Sequence, residues 1–257
     1  MNCKLSVFAI AKDEARNIPS FLQHLQGFAE EVVIVVDAST QDDTLQLAQS
    51  LGAKAMLHPF TSYSAQKQYA LAQCTGEWVL NLDLDERLTD ALKAEISSTI
   101  ARTSANLIRL PLHNIFLGKR MRWGDLLKAC PPRLARRSVA HYGDDLVHER
   151  LTAPGKVIKL KNYYWHESYQ NLTEYMAKMN AYSTAWALDK FKQGKKFKWW
   201  NLVRFPGDFL QAFIIQMGIL QGYRGIILSI GKTFYTFFKY AKLAELYQQK
   251  VIGKKIK

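Results

Sequence analysis

Apolar and polar positions alternate in blocks along the first hundred residues. Lys4–Ala11 is a short apolar run that predicts a strand, and Asn17–Gln26 has the spacing of a helix. Val32–Val36 is an unbroken β-branched run, the mark of a strand covered on both faces. Asp42–Leu51, closed by Gly52, predicts a helix, and Lys54–Leu57 a short strand. Ser64–Gln73 then predicts a helix, Trp78–Leu82 an apolar strand, and Asp90–Ile100 a helix capped by Thr89. This alternation predicts an α/β fold with a mainly parallel sheet flanked by helices.

Beyond residue 105 the rhythm shortens. Leu107–Pro111, Phe116–Trp123 and Arg133–Leu134 read as short strands, with Gly118-Lys119 as a hairpin tip. Asn171 to about Lys192 predicts a long helix in which Asn171 and Glu174 have capping-box spacing. Asn171-Leu172-Thr173 also matches a glycosylation sequon; with no secretory signal expected, the cap is the reading adopted. Two apolar stretches follow, Phe209–Leu220 and Gly225–Ala244. In the second, Ile226, Ile230, Phe234, Phe237, Ala241 and Ala244 share one side of a helical wheel, opposite Lys232, Lys239 and Lys242.

Charge changes this picture. The chain of 257 residues has 35 Lys+Arg against 22 Asp+Glu, a net of +13. Residues 190–257 hold 14 Lys+Arg and 2 Asp+Glu, so +12 of that charge lies in the last quarter. The expected organisation is a nearly neutral domain over 1–189 and a basic, amphipathic helical region over 190–257. Such a region suits an anionic membrane surface, although a helix packed on its own domain with solvated lysines has the same pattern. No run of 18 apolar residues suggests a membrane span. Cys3, Cys74 and Cys130 are too few and too scattered for a disulfide framework or a zinc site, which fits a reducing compartment. No nucleic-acid motif is visible.

Three segments carry candidate chemistry. The strand Val32–Val36 ends in Asp37, followed by a polar turn and a helix start. Ligands of open parallel sheets bind beyond the carboxyl ends of the strands, so Asp37 is placed to accept hydrogen bonds from a base or ribose. Next, Trp78–Leu82 runs into Asp83-Leu84-Asp85-Glu86. A period of two puts Asp83 and Asp85 on one side, and two hard carboxylates there suit Mg²⁺ or Mn²⁺ carrying phosphate oxygens. Third, Asp144-Asp145-Leu146-Val147-His148-Glu149 and Trp165-His166-Glu167 offer carboxylates able to act as a general base and imidazoles able to ligate a metal. Arg133, Arg136 and Arg137 form a basic cluster that would meet acceptor phosphates or simply face solvent.

These motifs, with Ala11-Lys12-Asp13-Glu14, Ser64-Ala65-Gln66-Lys67, Gly76-Glu77-Trp78, and the stretch from Arg204-Phe205-Pro206 to Lys239-Tyr240-Ala241-Lys242-Leu243, resemble the family 2, GT-A-fold glycosyltransferases. Within them the chain resembles the lipopolysaccharide-core glucosyltransferases of the WaaE/KdtX type. Asp13 stands where Asn is usual in that family, and Ala38-Ser39 and Gln41 depart from the common turn after Asp37. The resemblance implies that Glu14 and Asp37 hold the nucleoside and that Lys67 lies near the nucleotide or diphosphate. It implies that Asp83 contacts ribose or metal, that Asp85 ligates the metal, and that His166 completes the metal site. Glu149 is the implied base, with Asp145 and Asp144 as rivals. The implied reaction is an inverting, metal-dependent transfer of a hexose from UDP-glucose to a lipid-linked saccharide, the heptose of a lipopolysaccharide inner core. A polyprenyl-phosphate or other envelope-glycan acceptor, or a non-catalytic membrane-binding module, are the alternatives. The implied location is cytoplasmic, peripheral to the inner face of the cytoplasmic membrane. A sugar nucleotidyltransferase would need a glycine-rich loop after the first strand, and Ala11-Lys12-Asp13-Glu14 has no glycine.

Overall fold

The computed structural model describes residues 4–121, 129–143, 150–169 and 171–251. The order of elements is β1 (Leu5–Ala11), α1 (Ile18–Leu25), β2 (Glu31–Asp37), α2 (Thr44–Ser50), β3 (Lys54–His58), α3 (Tyr63–Gln73), β4 (Trp78–Asn81), β5 (Glu86–Leu88) and α4 (Asp90–Ile100). Then come β6 (Leu107–Arg109), β7 (Leu112–Phe116), β8 (Lys119–Arg120), β9 (Pro132–Arg136), β10 (His141–Tyr142), β11 (Leu151–Thr152), β12 (Val157–Lys159) and β13 (Tyr164–Tyr169). The chain closes with α5 (Leu172–Lys192), α6 (Trp200–Val203), α7 (Phe205–Leu210) and α8 (Tyr223–Val251). Two compact units result: residues 1–113 with 128–166, and residues 114–127 with 167–257. The step in charge near Lys190 thus falls inside the second unit.

In the first unit a seven-stranded sheet has the order β12-β6-β9-β4-β1-β2-β3. Its pairs are parallel except those made by β9, which runs antiparallel to both β4 and β6. The period of two sorts the side chains. Val7, Ala9, Ile34, Val36, Trp78 and Leu80 join one core with Ile18, Phe21, Leu92 and Ile96 of α1 and α4. Phe8, Val33, Val35 and Val79 join the opposite core with Ala70 and Leu71 of α3. The unbroken apolar runs therefore reflect a sheet covered on both faces, as the pattern predicts.

Local signals explain the ends. Thr89 caps α4 by accepting from Leu92 N–H, and Ser62 caps α3 by accepting from Ala65 N–H. Some expectations need correction. The strand at Trp78 stops at Asn81 rather than Leu82, because Asp83–Glu86 folds into a turn with Glu86 N–H donating to Asp83 C=O. The strand expected over Phe116–Trp123 is instead the short hairpin β7–β8, turned at Leu117 and Gly118 with φ of 47° and 70°; positions 122 and 123 lie outside the described residues. Arg133–Leu134 extends to Pro132–Arg136, since β9 is held between two neighbours.

In the second unit α5 and α8 pack along each other. Asn171 caps α5, accepting from Glu174 N–H. Phe116, Met121, Tyr175 and Met179 form its core, with Ile227, Leu228 and Tyr235 of α8 against them. The side of α8 that packs on α5 is not the apolar side of the helical wheel, against the alternative of a helix packed on its own domain with solvated lysines. Lys242 Nζ donates to Asn180 O and Ser183 Oγ of α5, both at 2.8 Å. Lys239 lies half-buried over the Trp186 and Tyr235 rings. Solvent receives Ile226, Ile230, Phe234 and Phe238 instead. The cause is steric: Gly231 meets Tyr175 so closely that a Cβ there would overlap its hydroxyl, and the helix settles with that side inward.

Candidate active site

The first crevice lies at the carboxyl ends of β1 and β2. Asp37, the last residue of β2, is buried and accepts Ser39 N–H at 2.9 Å, with Lys12 Nζ 3.4 Å away. The Ser39 N–H chiefly, with Lys12, outweighs desolvation and holds the Asp37 carboxyl below its ordinary value. The loop after β1 is stitched to the loop after β2. Asp13 Oδ1 accepts Gln41 N–H at 2.7 Å, Thr44 Oγ1 accepts Glu14 N–H at 2.8 Å, and Asp42 Oδ2 accepts Ala15 N–H at 3.0 Å. Asp13 has a left-handed φ of 52°, a conformation Asp tolerates better than most residues. Glu14, expected at the nucleoside, accepts Asn17 Nδ2 and sits beside this stitched loop. Asp42 is a staple between loops, a role its place before a helix did not suggest.

The second cluster is built on the acid turn that follows β4. Arg133 of β9 lies beside it and reaches four acceptors. Its Nη1 donates to Asn81 Oδ1 at 2.8 Å, and its Nη2 to Glu86 Oε1 at 2.7 Å and Asp83 Oδ2 at 3.1 Å. Its Nε donates to the Tyr164 hydroxyl at 3.3 Å. Glu86 is fully buried, and its other oxygen accepts Asp83 N–H at 2.9 Å, closing the turn. Lys67 of α3, also buried, brings Nζ within 3.7 Å of Asp83 Oδ1. Asp85 points elsewhere, with Oδ2 3.2 Å from His166 Nε2. A carboxylate only accepts, so Nε2 carries the hydrogen. β13 pairs antiparallel with β5 and sets His166 opposite Glu86; the period of two puts Tyr164 and His166 on the same side of β13.

Electrostatics divides the acids. Desolvation works against ionisation of Asp83, yet Arg133 and Lys67 outweigh it and hold its carboxyl far below the usual range. Burial pushes Glu86 up to about 7, with Asp83 adding to the rise and Arg133 opposing it. Burial lowers His166, but the Asp85 hydrogen bond and the nearby carboxylates overcome it and raise the imidazole. Asp85 and His166 are partly open to solvent and pair a hard oxygen with an imidazole nitrogen, a donor set that suits Mn²⁺ or Mg²⁺. Among the described residues no three His, Cys, Asp or Glu side chains are placed to share one ion. Asp83 is already paired with two cations and is less suited to that role than Asp85.

The structure therefore joins Lys67, Asp83, Asp85 and His166 in one cluster and sets Asp37 and Glu14 at the neighbouring strand ends. Glu149, Asp145 and Asp144 lie outside the described residues. Arg133 overturns the expectation of an acceptor-phosphate contact or a solvated turn. Its guanidinium is internal and fully engaged. Glu86, Asn81 and Tyr164 were missed as members of the site; Glu86 offered a signal, being the third acid of a turn that needs a closing acceptor.

A chain 32% identical, an uncharacterized glycosyltransferase of Rickettsia typhi, aligns with 95% of this chain and 87% of its own length. The profile of glycosyl transferase family 2 matches residues 6–121. The chain belongs to glycosyl transferase family 2. The matched segment contains Asp37 and the acid turn after β4, while Arg133 and His166 follow it. The lipopolysaccharide core biosynthesis glycosyltransferase LpsC of Rhizobium meliloti is 27% identical over 93% of this chain and 91% of its own. The first 349 residues of TarS from S. aureus, crystallised with UDP-GlcNAc, superpose with a TM-score of 0.51 at 14% identity, covering 99% of this chain and 93% of that one. That likeness marks the family-2 architecture here as GT-A-like.

Proposed function

We propose that this glycosyltransferase moves a hexose from UDP-glucose to a lipid-linked saccharide, the heptose of a lipopolysaccharide inner core, with inversion at the anomeric carbon. The observation that carries the reading is the Asp83–Glu86 turn with its half-buried Asp85–His166 pair, one strand over from the end of β1 and two from Asp37. The acceptor class draws support from the lipopolysaccharide-core role of the Rhizobium meliloti relative and from the resemblance to the WaaE/KdtX type. The reaction belongs on the cytoplasmic side of the inner membrane.

In this reading Asp37 accepts hydrogen bonds from the base or ribose, Glu14 borders the nucleoside, and Asp83 contacts ribose. Lys67 faces the diphosphate, supplying positive charge where the leaving group gathers negative charge. Asp85 and His166 would hold a divalent ion, which supplies Lewis-acid stabilisation of the diphosphate when bound. Glu149 takes the proton from the acceptor hydroxyl as its oxygen attacks the anomeric carbon, with Asp145 and Asp144 as the competing bases. One base suffices, because a diphosphate leaves without protonation. Glu149→Gln is expected to lower kcat by about 10²–10⁴-fold with donor affinity kept.

Calorimetric titration with UDP-glucose, with and without Mn²⁺, tests the donor site. Mn²⁺-dependent binding that Asp85→Ala abolishes is the expected result. Binding of another sugar nucleotide in place of UDP-glucose would overturn the donor, and binding of none would overturn the reading.

A further inference from the structure

The second unit shows solvent an apolar surface that its own packing leaves unused. The segment between α7 and α8 is a π-helical turn over Gln211–Ile215, a left-handed Met217 and a 3₁₀ turn over Gly218–Gln221. It leaves Ile215 75% and Leu220 60% exposed. On α8, Ile226, Ile230 and Phe234 repeat every four residues and face solvent, while the packed sides of the helix carry Gly225, Ser229, Gly231 and Thr233. Just ahead of α6, Trp199 is 65% exposed beside the exposed Trp200. Isolated apolar residues on a surface need no explanation, but a concentration in one unit, from the Trp199–Trp200 pair through the α7–α8 turn to α8, does.

Charge selects the occupant. Lys195, Lys196 and Lys198 are exposed immediately before the tryptophans, and Lys198 Nζ lies 5.3 Å from the Trp200 ring centre. Residues 190–257 carry a net +12, so a second copy of this surface would be repelled by the first. Tryptophan with lysine beside exposed aliphatic side chains is the chemistry of a lipid headgroup layer, where indoles sit at the boundary and ammonium groups meet phosphates. Among the described residues no helix is long and apolar enough to cross a membrane. The apolar groups can therefore enter a bilayer only to the depth of its interface.

We propose that the Trp199–Trp200 pair, the α7–α8 turn and the Ile226–Phe234 stripe of α8 dock this chain onto an anionic lipid leaflet, with Lys196 and Lys198 at the lipid phosphates. The attachment does not depend on sugar transfer, and its test contains no donor.

The full chain is sedimented with vesicles of phosphatidylcholine mixed with phosphatidylglycerol, and with phosphatidylcholine alone. The expected result is strong binding to the anionic vesicles, weakened by salt, and much weaker binding to the neutral ones. Ile215→Ser with Leu220→Ser should lower the partition coefficient about tenfold or more, and Lys196→Gln with Lys198→Gln about tenfold. Circular dichroism melting should match the wild type in both pairs. If the apolar pair melts early, quenching of wild-type tryptophan fluorescence by brominated phosphatidylglycerol, reduced in a Trp199→Phe, Trp200→Phe chain, carries the test instead. No binding to anionic vesicles would overturn the proposal. So would binding indifferent to these substitutions, or a dimer in vesicle-free sedimentation velocity that the same apolar substitutions dissociate.

Discussion

At Arg133 a single guanidinium meets Asn81, Asp83, Glu86 and Tyr164, and the consequences are testable one residue at a time. Arg133→Met would let Glu86, already raised to about 7, take up a proton and would strip Asn81, Glu86 and Tyr164 of their shared donor, a loss of about 1–3 kcal/mol. Urea unfolding should show that loss. Arg133→Lys should recover only part of it, since an ammonium cannot span the fork of acceptors that the planar group reaches. A second residue reports on pH. His24 Nε2 accepts Leu88 N–H at 2.9 Å, and burial with Lys93 and Arg87 lowers its imidazole to about 4. The unfolded chain then binds the proton more readily than the folded one. This contribution to stability is intact above pH 6.5 and is lost as pH falls toward 4. His24→Gln keeps an acceptor that does not titrate in this range, so its unfolding midpoint, compared with wild type at pH 7 and pH 5, should fall less. Asp37, Asp83 and Asp85 drew attention in the sequence because acids at strand ends are a local signal, whereas His166 was singled out through the family resemblance. The partnership of Arg133 with Glu86 was not, since it joins residues 47 apart and no periodicity announces it.

Elements were legible where one pattern dominated. The β-branched run of β2 and the Thr89 cap of α4 appear where their residues predict. The α8 helix shows the limit: a helical wheel ranks faces by hydropathy, whereas packing here follows size. Its glycines decide which side approaches its neighbours, and Lys242 reaches the Asn180 carbonyl on α5. Gly231→Ala places a methyl against the Tyr175 hydroxyl, and Gly225→Ala places one against the Gly218 carbonyl oxygen. Each should destabilise by about 1–3 kcal/mol, the usual cost of overpacking, and thermal melting is the measurement. Ile230→Ala, on the exposed stripe, should change the melt far less.

For the whole molecule, the charge boundary and the structural units divide the chain differently. A chain ending at Asp189 would keep α5 but lose α8, uncovering the core of Phe116, Met121, Tyr175 and Met179 that Ile227, Leu228 and Tyr235 cover. It should bind more of a hydrophobic dye, and self-associate more in sedimentation, than the full chain does under the same conditions. Nothing in the hydropathy of residues 1–189 foretells this, because the contacts that define the second unit lie far apart in sequence. The same separation sets an order of assembly during synthesis. Asp83, Asp85 and Glu86 leave the ribosome with Lys67 already made, but the guanidinium for Glu86 follows 47 residues later and the imidazole for Asp85 81 residues later. Chains emerge at about 5–20 residues per second, so a cluster of acids stands without its main counter-charges for several seconds. A nascent chain stalled before Arg133 should therefore have a fluid acid turn, and donor binding would arise only once β13 has been translated and paired with β5.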